Sequence, residues 1–358
     1  VDSNWIRLKV FLYLLIAVSL SISPVFAQLS SLTLKQALAQ HRTIGLALGG
    51  GAAKGLAHIG VLKAFEEAGI KPDLVAGSSM GGLVGAAYVT GVPIDTLIVL
   101  AEKTDWRKMA SLFRPSFARS GLTRGKAVTE LLDSLYPIKR LEITLIPLAL
   151  TAVDIRTGRL IVLQRGDLVK AVRATISIPI IFTPVLQSDT LLVDGGLVDP
   201  VPVDVVRKMG AEFVIAVNVL LPPADEARIL PSTQLRSVPG NGQKRQNWSG
   251  FLGGWFKRWS HSESRNTQPP EPGLFKIAQN TFMIAQAHLA HLSLRLTPPD
   301  LLIEPNTRSI KSWEFNNGDL AIVVGYWAAR RTLEAEGFKF SSPGMPYPER
   351  SIELETGE

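Results

Sequence analysis

The pentapeptide Gly77-Ser78-Ser79-Met80-Gly81 fits the pattern G-x-S-x-G and offers Ser79 as a nucleophile. A short apolar run, Leu74-Val75-Ala76, reads as a strand before it, and a helical pattern from Met80 to Tyr88 follows. That setting suits the chemistry. A sharp strand-to-helix turn lifts the hydroxyl clear of the backbone, and flanking glycines let the turn close without Cβ clashes. The N-terminus of the next helix aims free N–H groups at developing negative charge. Ser78 does not fit the register. Taken alone, Ser79 reads equally well as a helix cap or tight-turn residue.

A second glycine-rich turn, Gly49-Gly50-Gly51-Ala52-Ala53-Lys54-Gly55, also lies between a strand pattern and a helix pattern. A phosphate loop would need lysine after its last glycine, and here Lys54 precedes it. A dinucleotide fingerprint would need glycine at position 54. The remaining readings are an oxyanion hole, in which successive backbone N–H groups converge on one point, and a plain turn. A third candidate is Asp194, which ends the apolar run Leu191-Leu192-Val193 and precedes two glycines. It reads as a general base exposed at a strand end or as an ordinary turn aspartate.

The surrounding pattern supplies a frame for these residues. Strand-like runs at Ile44–Leu48, Leu74–Ala76, Ile143–Val153, Leu160–Leu163, Leu191–Val193 and Phe213–Val219 alternate with helical stretches such as Leu56–Ala68. The alternation predicts an α/β fold with a mostly parallel sheet. Residues 222–273 are rich in Pro, Gly, Ser, Asn and Gln and read as a flexible insertion. Order resumes with a helix over Leu274–Leu296, a strand over Asp300–Glu304 and a helix over Leu320–Glu336.

Four segments, ALGGGAAKGLAHIGVLKAFEEAGI, DLVAGSSMGGLVGAAYVTG, RATISIPIIFTPV and LLVDGGLVDPVPVDVVRKMGAEFVIAVNV, together resemble the bacterial patatin-like phospholipase family in order and spacing. The resemblance covers residues 43 to about 220, and 274–336 more weakly. It implies a three-layer α/β/α sandwich, hydrolysis of lipid acyl esters by a Ser–Asp dyad, and no metal or other cofactor. Carried onto this chain, it makes Ser79 the nucleophile and Asp194 the base, with Gly50, Gly51 and Ala52 in the oxyanion hole. Two positions depart from the family. Its loop reads G-G-G-x-[RK]-G, and here the third glycine is Ala52. It favours Asn where this chain has Asp199, whose carboxylate would raise the pKa of Asp194 if the two lay close.

Composition bounds the rest. The 358 residues contain no cysteine, which removes disulfides, thiol catalysis and lipid attachment to cysteine. Residues 1–27 run from a basic start (Arg7, Lys9) through an apolar stretch, Val10–Ile22, to Val25-Phe26-Ala27. They predict a signal peptide and export, with an uncleaved anchor as the alternative. The formal charge is +7; removing residues 1–27, with two bases and one acid, leaves +6. No nucleic-acid motif accompanies the charge, so an anionic membrane surface is the expected partner, besides a phospholipid or other acyl-ester substrate. From Arg228 to Arg258 the insertion has six bases and no acid, and Trp248, Trp255 and Trp259 lie within or directly after that stretch, a composition suited to a lipid interface.

The expected organisation is a signal peptide (1–27), a linker (28–42), a hydrolase domain (43–336) interrupted at 222–273, and a tail (337–358). Two rival functions stay open: a Ser-Asp-His triad using His288 or His291, and an inactive membrane-binding module. The remaining histidines have blander assignments. His58 packs or caps, His41 lies in the linker and His261 in the insertion.

Overall fold

The first core strand, β1 (Ile44–Leu48), has all five residues buried. Their alternation sorts them: Ile44, Leu46 and Leu48 join one apolar cluster, and Ala47 joins another. The same division holds for β7 (Phe213–Val217), where Phe213, Ile215 and Val217 separate from Val214 and Ala216. Strands buried on both faces need helices on both sides. The computed structural model supplies them. It describes residues 32–103, 122–179, 181–220, 273–313, 315–341 and 343–345. The expected signal peptide and all but Gly273 of the 222–273 insertion lie outside these residues.

The sheet has eight strands, in the order β5 (Val185–Gln187), β6 (Thr190–Asp194), β3 (Leu148–Asp154), β2 (Leu74–Ser78), β1, β7 and β8 (Leu301–Ile303), with β4 (Leu160–Leu163) paired to β3. The pairs from β3 through β2, β1 and β7 to β8 are parallel. β4 and β6 run antiparallel to β3, and β5 antiparallel to β6. The sheet is therefore mixed, with a parallel centre.

On one face lie α2 (Ala57–Ala68), α3 (Ser79–Val89), α4 (Ile94–Lys103), α5 (Leu122–Leu135), α6 (Leu168–Thr175) and α9 (Gly318–Ala335), sharing a core with Leu46, Leu48 and Leu150. On the other, α7 (Val203–Lys208) and α8 (Leu274–Leu296) cover a floor of small residues, Ala47, Ala76, Ala149 and Ala216. Three α/β/α layers result, as expected for the fold class. Among the described residues, no helix is long and apolar enough to cross a membrane.

The register around β3 determines where the site forms. Thr151 pairs with Ser78 of β2 and with Val162 of β4. Its neighbour Ala152 pairs with Asp194 of β6 and with Ile161 of β4. A strand has two edges, so β4 holds one edge of β3, and the other passes from β2 to β6 between Thr151 and Ala152. The C-terminal ends of β2 and β6 meet there: Ser78, which precedes Ser79, and Asp194 fall on neighbouring rungs.

The structure departs from the sequence expectation in four places. The run Ile143–Val153 is not one strand: Leu141–Ile143 forms a 3-10 turn, and β3 starts only after Pro147. Proline supplies no ladder donor, and the Thr144 hydroxyl stays close to two turn carbonyls, those of Leu141 and Ile146, at 2.9 Å each. The β5–β6 hairpin went unanticipated. The expected linker contains a helix, α1 (Leu34–Ala39), with a capping box between Thr33 and Gln36; Leu34 and Ala37 are buried. The expected tail begins by packing: Phe338, Phe340 and Met345 lie against the core, and Trp327 Nε1 donates to the Met345 carbonyl.

Candidate active site

Ser79 opens α3 in the left-handed region, at φ +51°, an uncommon conformation for a residue with a side chain. Its N–H donates to Thr175 Oγ1 at 2.9 Å. Its hydroxyl donates to Asp194 Oδ2 at 2.6 Å, in the range of strong charge-assisted bonds. Close approach explains one glycine of the motif: a Cβ on Gly81 would lie 2.3 Å from the Leu48 carbonyl oxygen and 2.5 Å from that of Gly49. The serine turn is thus packed directly against the glycine-rich turn.

Asp194 is fully buried at the end of β6. Its N–H donates to the Ser177 carbonyl at 3.0 Å. Its second oxygen, Oδ1, accepts from Gly196 N at 2.8 Å and from Gln286 Nε2 at 3.5 Å. Burial pushes the carboxyl pKa up to about 7, against the opposing pull of the bonds from Ser79 and Gly196. A base with a pKa near neutrality is matched to taking and returning a proton.

Asp199 does not act on that carboxyl as expected. The rise at Asp194 comes from burial, whereas the charge that acts on Asp199 is Asp204. Burial first, and the Asp204 carboxylate second, push Asp199 up to about 8. Neither Asp199 oxygen finds a hydrogen-bond donor among the described residues, so it is the protonated acid that suits the site.

The glycine turn brings a correction. Gly50 N–H, expected in the oxyanion hole, donates instead to the Pro200 carbonyl at 2.8 Å. Gly49, Ala53 and Lys54 N–H groups are likewise engaged, with Val217, Ser312 and Gly51 carbonyls. Gly51 and Ala52 keep N–H groups with no backbone acceptor among the described residues. Gly50 still borders the serine: a Cβ on it would be 3.3 Å from Ser79 Cβ. Ala52, in the position of the family's third glycine, adopts φ +49°, a conformation glycine would take without strain. His58 is buried, with Nε2 2.7 Å from the Gly49 carbonyl, and burial lowers its pKa to about 4. The neutral ring donates from Nε2 and pins the turn.

His288 and His291 stand apart from this site. Both are exposed on α8, whose buried stripe is Met283, Gln286, Ala287 and Ala290. The helix turns Gln286 to Asp194 and both histidines to solvent, which removes the geometry a triad would need. Sequence reasoning missed Gln286. Its signal was a lone polar residue in an apolar i, i+3, i+4, i+7 stripe. Among the described residues, no group of three or more His, Asp or Glu converges as metal ligands do. Beside the serine turn lies an apolar cavity of about 350 Å³, lined by Leu56, Met80, Leu83, Leu97 and Leu132 among others. Leu100 and Leu131 at its rim are exposed.

Residues 46–207 match the family described as patatin-like phospholipase. An uncharacterized NTE family protein of Mycobacterium tuberculosis is 32% identical over 330 residues, covering 82% of this chain and 91% of the relative. Patatin-like phospholipase domain-containing protein 6 of Mus musculus is 35% identical over 298 residues, which are 79% of this chain and 20% of that protein. Lysophospholipase nte1 of Aspergillus fumigatus is 29% identical over 328 residues, 87% of this chain and 19% of that one.

Proposed function

The chain belongs to the patatin-like phospholipase family and is a lipid ester hydrolase, and we propose that it cleaves acyl esters through a Ser79–Asp194 dyad. The observation that carries the proposal is the 2.6 Å bond from Ser79 Oγ to Asp194 Oδ2, made in a buried site.

In this reading Asp194 takes the hydroxyl proton as Ser79 Oγ attacks the acyl carbonyl carbon. The carbonyl electron pair moves onto oxygen, and the N–H groups of Gly51 and Ala52 hold that oxyanion. The carbon–oxygen ester bond then breaks, and the departing alcohol receives the proton from Asp194. Water next gives its proton to the same carboxylate and attacks the acyl-serine. Fatty acid leaves, and the proton returns to Ser79. The apolar cavity beside Met80 supports a long acyl chain as the group bound during these steps. A phospholipid or lysophospholipid fits such a substrate. The basic, aromatic composition of residues 222–273 supports action at an anionic membrane surface, and the pattern of residues 1–27 supports export.

The test is hydrolysis of p-nitrophenyl esters of increasing chain length, with folding followed by circular dichroism. Ser79→Ala is expected to abolish turnover, and Asp194→Asn to lower it by about 10²–10⁴. His288→Gln and His291→Gln are expected to leave it near wild type. Near-normal turnover in folded Ser79→Ala overturns the assignment. Loss in either histidine variant transfers it to a triad.

A further inference from the structure

We propose that Gln286 is a positioning residue for the base: its amide holds Asp194 Oδ1 and stabilises the ionised carboxylate that accepts the serine proton. The inference rests on the dyad reading and assigns a role to a residue 92 positions away in the chain.

Asp194 has two oxygens with separate duties. Oδ2 faces Ser79, and Oδ1 faces Gly196 N–H and the Gln286 amide. A carboxylate bound on one oxygen only can swing about its Cβ–Cγ bond and present either oxygen to the serine. Donors on Oδ1 remove that freedom and weight the charged form, since hydrogen bonds to a carboxylate favour ionisation. Burial acts in the opposite direction and raises the pKa. In so dry a site each donor to the anion counts for more than it would in water.

The packing around the amide is specific. Gln286 is 2% exposed on a helix stripe that is otherwise apolar, and burying an amide costs free energy unless it is bonded. A Cβ on Gly196 would lie 2.0 Å from Gln286 Nε2. The second glycine after Asp194 therefore leaves room for this side chain. The amide also borders the glycine turn, since a Cβ on Gly50 would be 3.9 Å from Nε2. Gln286 thus stands between the base and the loop that carries the oxyanion donors. The 3.5 Å separation is long for a hydrogen bond, and such contacts at catalytic groups commonly tighten when charge develops.

The experiment is the pH dependence of kcat/KM for wild type, Gln286→Met and Gln286→Glu, with circular dichroism and thermal melts on each. Met keeps the volume and removes the donor; Glu keeps the shape and replaces the donor with an acceptor. Wild-type activity is expected to rise as Asp194 ionises, near pH 7. In both variants this acid limb is expected to move up by roughly 0.5–1 pH unit, further in Glu. Activity near pH 6.5 falls about 3–10-fold and recovers above pH 8. A merely structural residue would lower activity by the same factor at every pH. An acid limb unmoved in both folded variants overturns the inference while leaving the dyad intact. Full activity in Asp194→Asn instead removes the dyad, and the role of Gln286 with it.

Discussion

The serine turn and the glycine turn are two versions of one device, a βα turn with a single non-glycine residue in left-handed backbone. In the first that residue is Ser79, at φ +51°, and in the second it is Ala52, at φ +49°. They differ in what they contribute. In the proposed dyad Ser79 acts through its side chain, which fixes its type, and Thr175 and Gly81 hold its backbone in place. In the same proposal Ala52 contributes only its N–H, which every residue but proline has. Its side chain is free to vary, and the strain is incidental. The supports differ as well. Pro200 and His58 hold the glycine turn from outside, through Gly50 N–H and the Gly49 carbonyl. The lesson is that strained backbone marks function where the side chain cannot be exchanged, and marks only tolerance where it can.

The most disruptive way to break this comparison is Gly81→Ala, because Gly81 is where the two turns touch. Its new Cβ would overlap two backbone carbonyls that cannot rotate away. Both turns must separate, with an expected loss of about 3 kcal/mol in stability and about 10²-fold in turnover. Urea unfolding and kcat, measured together, check it. An unchanged midpoint with full activity would mean that the turns are mechanically independent.

Asp199→Asn tests the outer support and should show a smaller effect that depends on pH. Asp199 precedes Pro200, whose carbonyl holds Gly50. Folded Asp199 keeps its proton up to about pH 8, whereas an unfolded aspartate releases it near 3.8. Between those values the folded state binds more protons, so stability falls as pH rises and levels off above 8. Asparagine removes that dependence. The variant should therefore gain stability over wild type, and gain more at pH 8.5 than at pH 4.5. Denaturant midpoints at the two pH values give the answer, and a gap that does not change with pH contradicts it.

The smallest effect belongs to Ala52→Gly. Glycine relieves left-handed strain of about 1–2 kcal/mol and gives back about 0.5–1 kcal/mol through greater freedom of the unfolded chain. A net gain of about 0.5 kcal/mol is expected, with turnover within about twofold of wild type. A marked fall in turnover would show that the methyl group takes part in shaping the oxyanion site.

Much of this site was legible because its chemistry is local in sequence. G-x-S-x-G, the glycine run and the strand-end aspartate each carry turn signals, and their apolar flanks predicted β1, β2, β6 and β7 to within two residues. What was not legible depends on contacts remote in the chain. That Gly50 N–H is already engaged follows from Pro200, 150 residues later. Gln286 carries no charge and no motif, and its role follows from the rotation of α8 against the sheet. The β5–β6 hairpin is three and five residues long on its two sides and turns through Ser188 at φ +51°, without the glycine that usually announces such a turn.

The end-to-end meeting of β2 and β6 along β3 also bears on when the molecule becomes active. Ser79 and Asp194 are 115 positions apart, and β2 and β6 are each paired to β3, at Thr151 and Ala152 where they meet, and not to each other. Closing so large a loop is an entropic cost that folding must meet before any compensating contact is made. A chain with β1, β2 and β3 paired but the hairpin undocked would have its nucleophile turn and no base. On the proposed dyad, hydrolytic competence is therefore a property of the finished sheet, absent from any chain in which β6 is not docked on β3.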